Sequence, residues 1–178
     1  VPRRILTAVV LCALALAGCD KGKPRHLPPD PLAAPPPPAG PVAPPTEGLS
    51  AGLARRAEAP GWFVDHIGGA VDPLNHPPAV TPAGAAMVLD GFGFDAVAKL
   101  PAKGVDVVVD GKAYGTAYGH ARPDVGDYFK TPALAATGFR TTLPAGTLAA
   151  GMHTLRLRVV AADGKGYFES PQVGFEVK

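Results

Sequence analysis

Val105-Asp106-Val107-Val108-Val109-Asp110-Gly111-Lys112-Ala113-Tyr114 reads as a β-hairpin. Val105, Val107 and Val109 alternate with Asp106, Val108 and Asp110, the period of two that divides side chains between the faces of a strand. Branched valine also fits a pleated surface better than a helix. Asp110-Gly111 supplies residues that tolerate positive φ in a tight turn. On the return, Lys112, Tyr114, Thr116 and Tyr118 share one face, and Ala113, Gly115 and Ala117 the other.

The same pattern extends both ways. Short apolar runs at Phe63 to Ile67, Ala85 to Asp90 (running on to Phe94), Phe139 to Leu143 and His153 to Val159 read as strands. Ala162-Asp163-Gly164 turns the chain toward Tyr167-Phe168, and Val173, Phe175 and Val177 form a last strand. Pro123 to Phe129 is the one helical stretch, with Pro123 at a first helical position and Asp124 near the positive helix end. The expectation is an all-β domain over residues 59–178: an antiparallel β-sandwich of about seven or eight strands with one short helical turn. A small closed barrel is the alternative.

Val107-Val108-Val109-Asp110-Gly111, Arg122-Pro123-Asp124-Val125, Gly138-Phe139, His153-Thr154-Leu155 and Asp163-Gly164 follow one another in an order that resembles an Ig-like β-sandwich module of bacterial surface proteins. That module also occurs beside glycosyltransferase and methyltransferase domains. The resemblance spans roughly residues 85–178. It implies an Ig-like fold and carries no catalytic residues. The family often has Trp after the glycine of its second strand, where this chain has Gly91-Phe92.

Ahead of the domain the composition changes. Residues 24–45 hold 11 prolines in 22 positions, which excludes helix and central strand. Residues 19–58 therefore read as a disordered Pro-rich linker, able to reach up to ~100 Å if extended. Residues 49–58 are read as a brief helical turn leading into the domain. Before the linker, Arg3-Arg4 precede an apolar run from Ile5 to Leu16, too short to span a ~30 Å hydrocarbon core. Leu16-Ala17-Gly18-Cys19 then resembles the lipobox of bacterial lipoproteins. The resemblance implies a signal peptide over 1–18 and lipidation of Cys19, with palmitate-type chains holding the protein to the inner or outer membrane of the cell envelope. Cys12 and Cys19 are the only cysteines, so the domain itself has no disulfide.

From 59 to 178 the charges nearly balance, and no basic field for nucleic acid exists. The only serines are Ser50 and Ser170, with no Gly-x-Ser-x-Gly, phosphate-binding loop or dinucleotide fingerprint. No catalytic residue, cofactor or metal is expected. Asp90, Asp95, Asp106 and Asp110 lack a calcium-loop spacing, and the histidines lack ligand spacing. The candidate ligand-binding residues are Tyr114, Tyr118, Arg122 and Asp124. If the tyrosines face outward, they form a platform for sugar rings; if inward, they are core. Arg122 either forks a ligand carboxylate or phosphate, or pairs with Asp124 to pin a crossover. The leading expectation is a lipid-anchored, non-enzymatic domain binding an envelope protein or polysaccharide. A structural accessory subunit or spacer is second, and an envelope hydrolase third.

Overall fold

The computed structural model describes residues 48–178. The expected leader, Cys19 and the proline run lie outside the described residues. Thirteen strands follow in chain order: β1 Ala54–Arg55, β2 Gly61–Ile67, β3 Ala70–Val71, β4 Ala79–Thr81, β5 Met87–Asp95, β6 Leu100–Pro101 and β7 Gly104–Val109. Then come β8 Lys112–Gly115, β9 Ala117–His120, a short helix α1 Pro123–Tyr128, a 3-10 turn Pro132–Ala136, β10 Gly138–Leu143, β11 Gly151–Val160, β12 Gly166–Glu169 and β13 Val173–Val177.

They form two sheets. In the seven-stranded sheet β11 is the spine. β7 pairs along Leu155–Val160, while β12 takes Arg158–Val160 and β13 takes Gly151–Leu155. A strand has two sides, so β12 and β13 share the one that β7 leaves. β8 extends the sheet beyond β7. The six-stranded sheet runs β3-β2-β5-β10-β9, with β6 on the end of β5. The core lies between the sheets. Val105, Val107, Val109, Leu155, Leu157 and Val159 meet Val64, Ile67, Leu89, Phe139 and Leu143. Both sheets and this core fall within residues 48–178, the ingredients of an independently folding unit.

The hairpin forms as its sequence dictates: β7 pairs β8 in antiparallel register, with Asp110 and Gly111 both at positive φ. The helix also forms, starting at Pro123. Four expectations need correction. First, the sheets are not wholly antiparallel: β1 joins β12, and β4 joins β13, in parallel. Each is a short edge strand, too short to carry a sequence signal. Second, these additions raise the strand count above the expected seven or eight. Third, Lys112 to Tyr118 is not one strand. β8 belongs to one sheet and β9 to the other, and the chain changes layer at Thr116, whose hydroxyl donates to the Val105 carbonyl at 2.6 Å.

The fourth correction concerns where the fold begins. Residues 48–58, expected as linker with a helical turn, include a segment bound to the seven-stranded sheet. Gly48 to Leu53 form two turns, and Ala54–Arg55 add the strand β1. The cause is Asp106, which lies on the outer face of β7 yet is fully buried. Its carboxylate accepts the N–H groups of Leu49 and Ser50 at 2.9 and 2.7 Å. All six residues of β7 are therefore buried, on both faces.

Candidate functional site

The two tyrosines expected as a platform face inward. Tyr114, opposite Val107, is 3 % exposed and belongs to the core. Tyr118 packs against that core and ties β5 to the β6–β7 connection with its hydroxyl, which donates to Gly93 O at 2.8 Å and accepts from Ala102 N–H at 3.0 Å. Burial pushes its phenol up to about 12. Tyr114 is therefore closed to a sugar ring, while Tyr118 is half-buried with its hydroxyl committed to the backbone.

Arg122 and Asp124 come together, but with each other. Arg122 Nε and an Nη hold Asp124 at 3.0 and 2.8 Å, the other Nη reaches Asp65, and the guanidinium lies 5.1 Å from the Phe92 ring centroid. Every edge of the planar fork is occupied. The Arg122 hydrogen bonds hold the Asp124 carboxyl below the usual carboxylate range. Asp65 moves the other way: desolvation pushes it up, against the pull of Arg122. The pair pins the chain entering α1 to the bulge in β2, which falls between Val64 and His66.

A second network lies on the same outer face. His66 Nδ1 sits 2.7 Å from Asp90 Oδ1, and Arg140 donates to Asp90 Oδ2 at 2.7 Å. Asp95 and Asp110 are also engaged. Asp95 accepts from Val97, Ala98 and Ala162, and Asp110 accepts from Thr154 and contacts His153. Among the described residues no three His, Cys, Asp or Glu groups are placed to hold one metal ion. The two serines are buried; Ser170 Oγ is engaged with Leu157 N–H and the Pro171 carbonyl.

What this face leaves open is apolar. A row of rings crosses it: Phe63 stacks on Phe92 and Phe92 on Phe94, each at 6.2 Å, and Phe129 meets Phe94 edge-on at 4.9 Å. Tyr128 meets Phe129 edge-on at 4.9 Å and ends the row. Phe94, Val125 and Leu134 seal α1 and the 3-10 turn onto the sheet as a small second core. Beyond that seal Tyr128 is 79 % exposed and Phe129 42 %. Val97 and Leu100 are exposed as well; Val97 follows Ala96, which packs on the small core, and β6 packs against the 3-10 turn.

Tyr128 and Phe129 were not singled out as binding residues from sequence. The signal was present in the helix spacing: Val125 and Phe129, four apart, both turn toward Phe94, Val125 buried and Phe129 partly covered, which directs Tyr128 away from the sheet. No family model matches the chain, and no curated protein matches it either.

Proposed function

We propose that this is a bacterial envelope lipoprotein, acylated on Cys19, whose Ig-like sandwich binds a protein partner without catalysis. The strand order supports the Ig-like reading. One sheet has a central β11 flanked by β7-β8 and by β12 and β13, each of which carries a short parallel edge strand; the other runs β2-β5-β10-β9. The observation that carries the binding role is the exposed Tyr128-Phe129 pair, held by edge-on contacts at the margin of α1, with Val97 and Leu100 also exposed next to elements that pack on the same small core. Rigid aromatic groups with apolar neighbours are the usual anchors of protein interfaces. With Tyr114 in the core and Tyr118 half-buried and held by Gly93 and Ala102, the two rings do not stand together as an open platform, which favours protein over polysaccharide. The occupied Arg122 fork favours protein in the same way.

A photo-crosslinking residue at position 128, in the native cell, tests the binding role. One stoichiometric adduct is expected, lost when Phe129→Ala and Val97→Ser are added, and absent from a probe at Thr154 on the opposite sheet. Equal adducts from both positions would return the protein to the spacer reading. The anchor is tested separately by metabolic labelling with a palmitate analogue, which Cys19→Ala should abolish.

A further inference from the structure

The outer face of the seven-stranded sheet carries a different surface. Arg55 on β1, Glu169 on β12 and Arg158 and Arg156 on β11 point out together. All three guanidiniums converge on the single carboxylate of Glu169, at 3.4, 3.0 and 3.2 Å for Arg55, Arg156 and Arg158. Burial pushes that carboxyl up, but hydrogen bonds from Arg158 and Arg156 outweigh it and hold it low and ionised. Glu169 and Asp106, opposite Arg158 on β7, set two carboxyl groups against three guanidiniums and leave the face with an excess of arginine. Asp106, the other acid beside them, is sealed under Leu49 and Ser50. Arg56 is turned away, over Phe168 and against Asp163. Arg55 and Arg156 keep 59 % and 43 % of their side chains in solvent.

We propose that this arginine face docks on the phosphate headgroups of an anionic lipid bilayer. Charge complementarity is the first argument, since guanidinium forks match phosphate oxygens. The position of the incoming chain is the second. Gly48 lies on this same face, against Asp106 and Ala113, so the sequence leading back to Cys19 joins the domain on the side where the arginines stand. This second argument rests on the acylated reading of Cys19. The consequence is orientation. The two sheets lie back to back, so a domain resting on its arginine face presents Tyr128 and Phe129 away from the bilayer. The anchor gives attachment, and the arginine face gives direction.

The test uses the chain from Asp20 onward, which lacks Cys19 and the leader and keeps both sheets. Its failure is thus separable from failure of the acylation reading. Co-sedimentation is measured with vesicles of phosphatidylcholine alone, and of phosphatidylcholine and phosphatidylglycerol in equal parts. Binding only to the second, falling with added salt, is expected. Arg55→Gln with Arg156→Gln leaves Arg158 to neutralise Glu169, and circular dichroism and melting check that the fold is kept. That pair should weaken anionic-vesicle binding by roughly twentyfold, about fivefold per basic group. Lys99→Gln with Lys130→Gln removes the same charge near the aromatic margin and should leave binding unchanged. Equal binding to both vesicles, equal loss in both double variants, or capture of soluble polyphosphate without vesicle binding would each overturn the proposal.

Discussion

Asp106 accepts the backbone N–H groups of Leu49 and Ser50, more than fifty residues earlier in the chain. This contact fastens the entering segment across the seven-stranded sheet. Removing the carboxylate strands two backbone donors at a buried position. Asp106→Ala should therefore cost about 2–3 kcal/mol in urea unfolding. It should also open Arg55 and Arg56 to trypsin under native conditions, because β1 is only two residues long and its other ties, Arg55 to Glu169 and Arg56 to Asp163, are partly exposed ion pairs. Protection equal to the parent chain would mean that β1 is held independently of Asp106.

Tyr118 makes a prediction at the alkaline end. Its hydroxyl is shared between Gly93 and Ala102, and burial keeps it protonated up to about 12. The unfolded chain ionises the same group near pH 10. The folded value is the higher one, so this contribution to stability is present below about pH 10 and is lost as pH rises toward 12. Absorbance titration should show a late phenolate component that disappears in Tyr118→Phe. The variant should also cost about 1–3 kcal/mol at neutral pH, from the unpaired Gly93 carbonyl and Ala102 N–H.

Which features were legible follows from how far apart their causes lie in the chain. The Val105–Tyr114 hairpin needs only alternation and a turn, both local, and it forms. The same holds for Pro123 at the head of α1. The change of layer at Thr116 is set by where β10 and β7 lie, and nothing within Lys112–Tyr118 encodes it. Asp106 looks like a solvent-facing residue in an alternating strand; only the returning Leu49-Ser50 backbone makes it a buried one. Tyr114 and Tyr118 posed a question of facing that alternation alone left open, and the core answered it for both. Arg122 and Asp124 were legible as a pair because they are two apart. Asp65, their third member, was not, since it arrives from β2 through tertiary folding.

Gly91 in β5 lies opposite Val64 of β2. A Cβ at Gly91 would run into the Phe63 carbonyl of the paired strand β2. Neither backbone can yield without breaking the ladder between β2 and β5 near the bulge. Gly91→Ala should cost about 3 kcal/mol or more. Gly69 stands in open space, and Gly69→Ala should change stability by less than about 0.5 kcal/mol. Thermal melting of the two variants decides it: equal effects would remove the steric argument.

His153 and Asp110 link the hairpin turn to the spine strand across a distance of 2.6 Å. His153 also approaches the Ala149 carbonyl at 2.8 Å and lies against Phe175. Its hydrogen bond to Asp110, then that to Ala149, raises the imidazole above its ordinary value. Desolvation pushes the Asp110 carboxyl up, but hydrogen bonds from His153 and Thr154 prevail and leave it lowered. The signs then bound a window. The raised histidine contributes fully below its unfolded pKa of about 6.5, and the contribution is lost as pH rises through the folded value. The lowered aspartate contributes above about 3.9 and is lost as pH falls through its folded value. The stability difference between the parent chain and His153→Gln should therefore peak between about pH 4 and pH 6.5 and shrink on both sides. Melting temperatures across pH 3–9 measure it, and Asp110→Asn should flatten the same curve. A difference that stays constant across that range would assign His153 a packing role against Phe175 alone.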